Sequence, residues 1–319
     1  MTDYFDEPTL FDLPPIAPRD LFESFGQPPF SVLDRRSGAW QDRRRRWLSL
    51  GIRSEVGRDD TLTYEYNDGK YDFSRKMMAV GDGTSIFDPV TAECAVRWYS
   101  AAGGTVLDPF AGGSVRGIVS SILGREYIGV DLRPEQVAAN YDQQHIADPD
   151  HLPQWITGDS RRLDDLLQPD QRADLVFSCP PYFDLEQYSD DPDDLSAMTW
   201  DQFCVAYGEI IRLAATRLRE DRFAVWVVGE VRDKRGLLRG LMPETVRAFE
   251  AAGLRYYNSA VTVDPTGSAA LRARPYFNSN RKLVTLHQHV LVFVKGDPKR
   301  AAAYCKSADE AVADEADDE

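Results

Sequence analysis

The chain of 319 residues is long enough for one sizeable α/β domain with extensions, because single cores stop growing at roughly 250–300 residues. Apolar residues make up 43% of it, yet no run approaches the ~20 that a membrane span needs, so a soluble protein is expected. The formal charge of −15 argues at first sight against a polyanionic partner, but the charge is segregated: eight arginines lie between residues 35 and 58, while acids gather at both ends and in 184–194. Segregation leaves a basic footprint intact.

Taken in chain order, residues 1–30 mix Pro, Asp, Glu and scattered Phe without periodicity and read as an acidic, disordered tail. The start, MTDYFDEPTLFDLPP, lacks the basic and apolar run of an export signal. Residues 31–78 form an Arg-rich extension in which Trp40 and Trp47 alternate with Arg43, Arg44, Arg45 and Arg46. Such a mixture suits phosphate clamping and stacking, and it equally suits a basic helix lying on the protein's own acidic surface.

From about residue 79 to 298 the pattern alternates as βαβ units do, which predicts a largely parallel sheet covered on both faces. GTVLDPF reads as strand and loop, SVRGIVSSILG as helix, EYIGVDL as strand, PEQVAANYDQQH as helix, QWIT as strand and ADLVFSCPPY as strand and loop. A helix at WDQFCVAYGEIIRLAATRLR, a strand at FAVWVVGEV, a helix at PETVRAFEAAG and strands at YYNSAVTV and HVLVFVK follow. Arg272, Arg274, Arg281 and Lys282 surround an expected loop and form a second basic candidate. Residues 299–319 carry seven acids after position 308 and are expected to be a disordered acidic tail. Four widely spaced cysteines suggest neither a zinc pattern nor a disulfide framework, so no metal and a reducing cytoplasm are expected.

Ligands of open α/β sheets bind beyond the carboxyl ends of the strands. The first such loop is Asp108-Pro109-Phe110-Ala111-Gly112-Gly113-Ser114, whose glycines allow close backbone approach to a ligand. Asp131 ends the next strand, 23 residues on, the spacing of a ribose-binding carboxylate in dinucleotide folds; it equally suits a helix cap. Asp159 and Ser160 follow the third strand with the same two readings. Cys179-Pro180-Pro181-Tyr182 follows the fourth: two prolines remove two amide donors and stiffen the loop, and the tyrosine offers a stacking face for a base.

These motifs in this order resemble the DNA amino-methyltransferases, which methylate the exocyclic nitrogen of adenine or cytosine. DPFAGGS resembles the family's motif I, IGVDL motif II, GDS motif III and CPPY motif IV, while Thr84-Ser85-Ile86-Phe87-Asp88-Pro89 resembles motif X. The resemblance covers about residues 79–296. It implies a Rossmann-like α/β fold with a seven-stranded, mostly parallel sheet, helices on both faces and a terminal antiparallel strand, for which HVLVFVK is the candidate. It implies S-adenosyl-L-methionine as cofactor, with Asp108, Pro109, Phe110, Gly112 and Gly113 around it, Asp131 on its ribose, Asp159 and Ser160 near its adenine, and Thr84 to Phe87 opposite. DNA is the implied partner, bound through Arg43 to Arg46, Trp47, Arg281 and Lys282, in a restriction-modification setting of a prokaryotic or phage-infected cell. Cys179, Pro180, Pro181 and Tyr182 are the implied catalytic residues.

At position 179 the sequence departs from the family, which has Asp, Asn or Ser there; a protonated thiol accepts hydrogen bonds weakly. Ser178, Asp184 or Glu186 substitutes, the sulfur suffices, or Cys179 attacks a pyrimidine ring as in carbon-5 cytosine methyltransferases. An RNA methyltransferase is a further alternative, since one sheet serves many substrates.

Overall fold

The computed structural model describes residues 25–53, 87–183, 195–267 and 269–306. Eight strands form one sheet: β1 (Val32–Asp34), β2 (Thr105–Asp108), β3 (Glu126–Asp131), β4 (Gln154–Thr157), β5 (Ala173–Ser178), β6 (Leu218–Val228), β7 (Arg255–Val263) and β8 (His287–Lys295). Their spatial order is β1-β7-β8-β6-β5-β2-β3-β4. Only β8 runs against its neighbours, pairing antiparallel with both β6 and β7. The fold class is therefore the expected one, with one strand more. Val32–Asp34 adds itself in parallel to Val261–Val263 at the sheet edge, a pairing of residues 229 apart that local pattern cannot reveal.

The buried strands explain the order. All six residues of β5 are buried, as expected of a parallel strand covered on both faces. Helices α1 (Gly38–Ser49), α2 (Pro89–Tyr99), α3 (Val115–Ile122) and α4 (Pro134–Asp142) contribute to one apolar layer. Helices α5 (Leu163–Leu166), α6 (Trp200–Arg217) and α7 (Leu241–Ala251) contribute to the other. Thr199 starts α6 with a reciprocal capping box to Gln202, and Asp88 caps α2 by accepting from the Thr91 amide at 2.9 Å.

Two other expectations change. Arg272 and Arg274 sit on helix α8 (Ala269–Asn280) instead of a loop; its internal Pro275 reads locally as a breaker, although a helix can accommodate it. The fold also runs past 298. Residues 298–306 are helical, Ala301 is fully buried, and the Arg222 guanidinium lies 3.2 Å from the Tyr304 ring centre.

The site follows from the topology. The chain steps from β2 outward to β3 and β4, then returns to place β5 against the other side of β2. That reversal opens a crevice between the carboxyl ends of β2 and β5, where the loops 108–114 and 179–182 begin.

Candidate active site

Asp108, at the end of β2, is fully buried and accepts four hydrogen bonds. They come from Arg116 Nε at 2.5 Å, Ser178 Oγ at 2.5 Å, Tyr127 OH at 2.8 Å and the Phe110 amide at 3.1 Å. Its carboxylate therefore lies beneath the loop and shapes it from inside. Burial by itself would lower the Arg116 pKa, but the Asp108 charge reverses this and holds the guanidinium firmly protonated. Arg116 also donates to the Phe110 and Ala111 carbonyls at 2.5 and 3.0 Å and lies 4.6 Å from the Phe87 ring centre. The sequence reading missed Arg116; the signal was one cation on the apolar face of SVRGIVSSILG.

Above that support the loop turns through Gly112 at φ +51°, where a Cβ would meet nothing within 4 Å. The Gly112 amide donates to Asp131 Oδ2 at 2.9 Å and its carbonyl accepts from Asn140 Nδ2 at 2.7 Å. The other Asp131 oxygen accepts from the Arg133 amide at 3.0 Å. Burial pushes the Asp131 carboxyl above its ordinary value, more strongly than these donors pull it down. Ser160 Oγ donates to the Pro109 carbonyl at 2.6 Å and so ties the third loop to the first. Asp159 accepts from the Arg161 amide and from its Nε, both at 2.8 Å, the arrangement of a cap. Phe110 is half-buried against Trp226 and Tyr207. Phe87 packs edge-on to Phe177 at 5.7 Å, whereas Thr84, Ser85 and Ile86 lie outside the described residues.

On the β5 side, Pro180 is buried and Cys179, Pro181 and Tyr182 are half-buried. Cys179 Sγ stands 3.4 Å from Tyr182 OH, and burial raises the thiol pKa, so the sulfur is neutral at neutral pH. The Tyr182 ring rests on the Gly229 backbone, where a Cβ would come within 3.4 Å of it. Its hydroxyl accepts from Gln288 Nε2 at 2.7 Å, and Gln288 Oε1 accepts from Arg35 at 3.3 Å. Arg35 is in turn held by Asp264 at 2.7 Å and Thr91 at 3.1 Å. Neither Arg35 nor Gln288 was legible as a site residue, because three remote segments build the chain of contacts.

The acceptors offered in place of residue 179 divide. Ser178 is fully buried, and its hydroxyl donates to Asp108. Asp184 and Glu186 lie outside the described residues. Glu230, two residues past β6, was not foreseen; Oε1 accepts from the Met242 amide at 3.1 Å, and Oε2 is buried with no hydrogen-bond partner among the described residues.

The basic extension requires a correction. Trp47 is fully buried and donates to Glu93 at 2.7 Å, so it offers no stacking face; Trp40 is buried too and reaches Asp88 at 3.4 Å. Arg43 is spent on the same buried Glu93. Arg44 pairs with Asp88 at 3.5 Å, Arg45 pairs with Asp42, and Arg46 is exposed. Arg281 is exposed beyond α8, and the Lys282 side chain lies against Gly236.

Residues 86–142, spanning α2 and the glycine loop to α4, match the family model for DNA methylase. Over these residues the chain is similar to that family. The loop leaves room for a ligand: open space stands over Gly112, and the Asp131 carboxylate, 14% exposed, lies at its edge. No curated protein matches the chain. Among solved structures it is similar to TrmN from Thermus thermophilus, at 16% identity and a TM-score of 0.44, over 66% of this chain and 49% of that one. The chain thus spans about half of TrmN. A second is the magnesium protoporphyrin IX methyltransferase of Synechocystis with bound S-adenosylmethionine, at 16% identity, TM-score 0.42 and 72% and 88% coverage. A third is a candidate DNA modification methylase, also of Thermus thermophilus, at 21% identity, TM-score 0.33 and 44% and 51% coverage. Among the described residues no helix is long and apolar enough to cross a membrane, and no group of three or more His, Cys, Asp or Glu could hold a metal.

Proposed function

We propose that this protein transfers a methyl group from S-adenosylmethionine to the exocyclic amine of adenine or cytosine in DNA, acting on a base turned out of the duplex. The observation that carries the reading is the stiff Cys179-Pro180-Pro181-Tyr182 loop at the end of β5, next to the glycine loop at the end of β2. Tyr182 is held there by Gly229 and Gln288 with its ring half-buried. Stacking on such a ring is worth roughly 1–3 kcal/mol per base.

S-Adenosylmethionine, when bound, supplies an electrophilic methyl group on a sulfonium. Asp131 would accept from its ribose, and Phe110, Gly112 and Gly113 would line it. An aromatic amine attacks poorly because its lone pair is delocalised into the ring. The protein helps by accepting the amine hydrogens, which localises the pair, and by holding the nitrogen in line. The Pro180 carbonyl is the natural acceptor for one hydrogen. The neutral thiol of Cys179 is a weak acceptor for the other, and the buried free oxygen of Glu230 is the stronger candidate. A neutral buried thiol also speaks against attack on a pyrimidine ring, which requires the thiolate.

The test is incubation with labelled cofactor and mixed DNA and RNA, followed by nucleoside mass spectrometry, for wild type and Cys179→Asn together. N6-methyladenine or N4-methylcytosine from DNA is expected. The variant should equal or exceed wild type, since it supplies an oxygen acceptor. Label in RNA or protein alone rejects the DNA reading, and 5-methylcytosine abolished by Cys179→Asn rejects the amine.

A further inference from the structure

The strand that touches Tyr182 continues into a rigid hairpin at the mouth of the site. Gly229 lies against the tyrosine ring, and the chain then folds back on itself through an antiparallel bridge from Arg232 to Leu238. The turn is fixed from within. The Asp233 amide donates to the Leu237 carbonyl and the Gly236 amide to the Asp233 carbonyl, both at 2.8 Å. The Asp233 carboxylate accepts from the Arg235 and Leu237 amides at 3.0 and 2.8 Å. Arg239 brings the chain back to the site, 4.7 Å from the ring centre of Phe183, the residue after Tyr182. On the returning arm, Leu237 and Leu238 are 54% and 55% exposed, and nothing in the packing of the described residues accounts for them.

Helix α8 stands beside this hairpin, because the Lys282 side chain just beyond the helix lies over Gly236. The helix hardly packs. Ala269 is its buried residue, and Leu271, Arg272, Arg274 and Phe277 are all exposed. A helix polar and apolar all round, with so little burial, needs a partner to justify its order. Arg272, Arg274, Arg281 and Lys282 have no ion pair among the described residues, and no acid occurs from 265 to 286. The hairpin adds Arg232, Lys234, Arg235 and Arg239 against Asp233 alone. Within these two segments eight cations therefore stand against one acid, in a chain whose net charge is −15.

We propose that the hairpin 231–239 and helix α8 form one wall that binds double-stranded DNA, with Leu237 and Leu238 entering the base stack where the target base leaves it. The inference rests on the reading of the protein as a DNA methyltransferase. The cations neutralise phosphates on either side of the target. Removing one base from the stack costs a few kcal/mol, and apolar wedges occupy such gaps. Two leucines on a turn locked by Asp233 can do this without ordering cost.

The experiment measures methyl transfer to unmethylated genomic DNA, native and heat-denatured, by a Leu237→Ala, Leu238→Ala double variant. Both leucines are exposed, so folding and calorimetric cofactor binding should match wild type. Transfer to native DNA should fall by about tenfold or more, while transfer to denatured DNA, whose bases need no extrusion, stays within about twofold. An Arg272→Ala, Arg274→Ala double variant should weaken duplex binding in fluorescence anisotropy and flatten its dependence on the logarithm of salt by about two units. A native-to-denatured ratio equal to that of wild type, or an unchanged salt slope, overturns the wall while leaving the methyltransferase reading intact. A wild type that methylates no DNA overturns that reading and the wedge with it.

Discussion

Two helices of this protein are rich in arginine, and they do opposite things with it. Helix α1 turns inward: Arg43 reaches the buried carboxylate of Glu93, Arg44 reaches Asp88, and Trp40 and Trp47 are sealed beneath them. Helix α8 turns outward, with Arg272 and Arg274 exposed and unpaired among the described residues. The difference lies in what faces each helix. α2 presents one acid, Glu93, in an otherwise apolar run, and a buried charge persists only with a partner. Among the described residues no acid pairs with the arginines of α8. A basic stretch in a sequence is thus half a statement, completed by the acids that the fold carries to it.

The comparison breaks most sharply at Glu93. The carboxylate accepts from Arg43 at 2.5 Å, Trp47 at 2.7 Å and Arg97 at 2.9 Å with no exposed surface. Glu93→Gln would leave Arg43 without its counter-charge, and breaking a buried pair costs about 3–5 kcal/mol. A large drop in the thermal midpoint is expected at neutral pH. Burial alone would raise the Glu93 pKa, but the Arg43 hydrogen bonds dominate and hold it below the ordinary value. A lowered carboxyl pKa contributes stability above the unfolded value of roughly 4.3 and loses it as pH falls through the folded value. Acid melting should therefore be steep in wild type and flatter in Glu93→Gln; parallel melting curves would show that α1 is not held this way.

The inward region also reaches the chemistry. Arg35 follows β1 and holds Gln288, which holds the Tyr182 hydroxyl. Gln288→Leu removes a single neutral hydrogen bond to that hydroxyl, worth about 0.5–1.5 kcal/mol. The expected result is a fall of roughly two- to tenfold in kcat with cofactor affinity unchanged. Restoration by Gln288→Glu would identify positioning as the cause, since a carboxylate can accept from both Arg35 and the tyrosine. Equal kcat in Gln288→Leu would mean that the Gln288 contact does not place the ring.

Much of this was readable in advance, and the rest was hidden for a common reason. Strands β2, β5, β6 and β8 stand out because their buried residues form continuous apolar runs such as VLVFV. The loops at Asp108 and Cys179 stand out because glycine and proline mark special backbone. Their roles were less legible. Asp108 resembles a cofactor ligand in sequence and turns out to be saturated by Arg116, Tyr127, Ser178 and Phe110. Those donors come from three elements and the loop itself, and long-range pairing leaves no local trace. The same holds for β1, three residues that find β7 across most of the chain, and for Arg35.

The smallest effect expected is the most telling for the comparison. Arg45 and Arg46 are the exposed members of α1, and Arg45 already pairs with Asp42 one turn back. An exposed pair of this kind is worth about 0–1 kcal/mol, so removing it should leave stability almost unchanged. If α1 also clamped DNA, replacing both arginines by alanine would remove two phosphate contacts and flatten the salt dependence of duplex binding by about two units. On an inward-facing α1, with Asp42 and Asp88 nearby to offset its charge, the change should stay well under about one unit, because exposed charges more than a Debye length of about 8–10 Å from the duplex are largely screened. Anisotropy at several salt concentrations, with the Arg272→Ala, Arg274→Ala variant alongside, decides between them. Equal slopes for the two variants would put both basic helices on the DNA, and the division of labour between them would be lost.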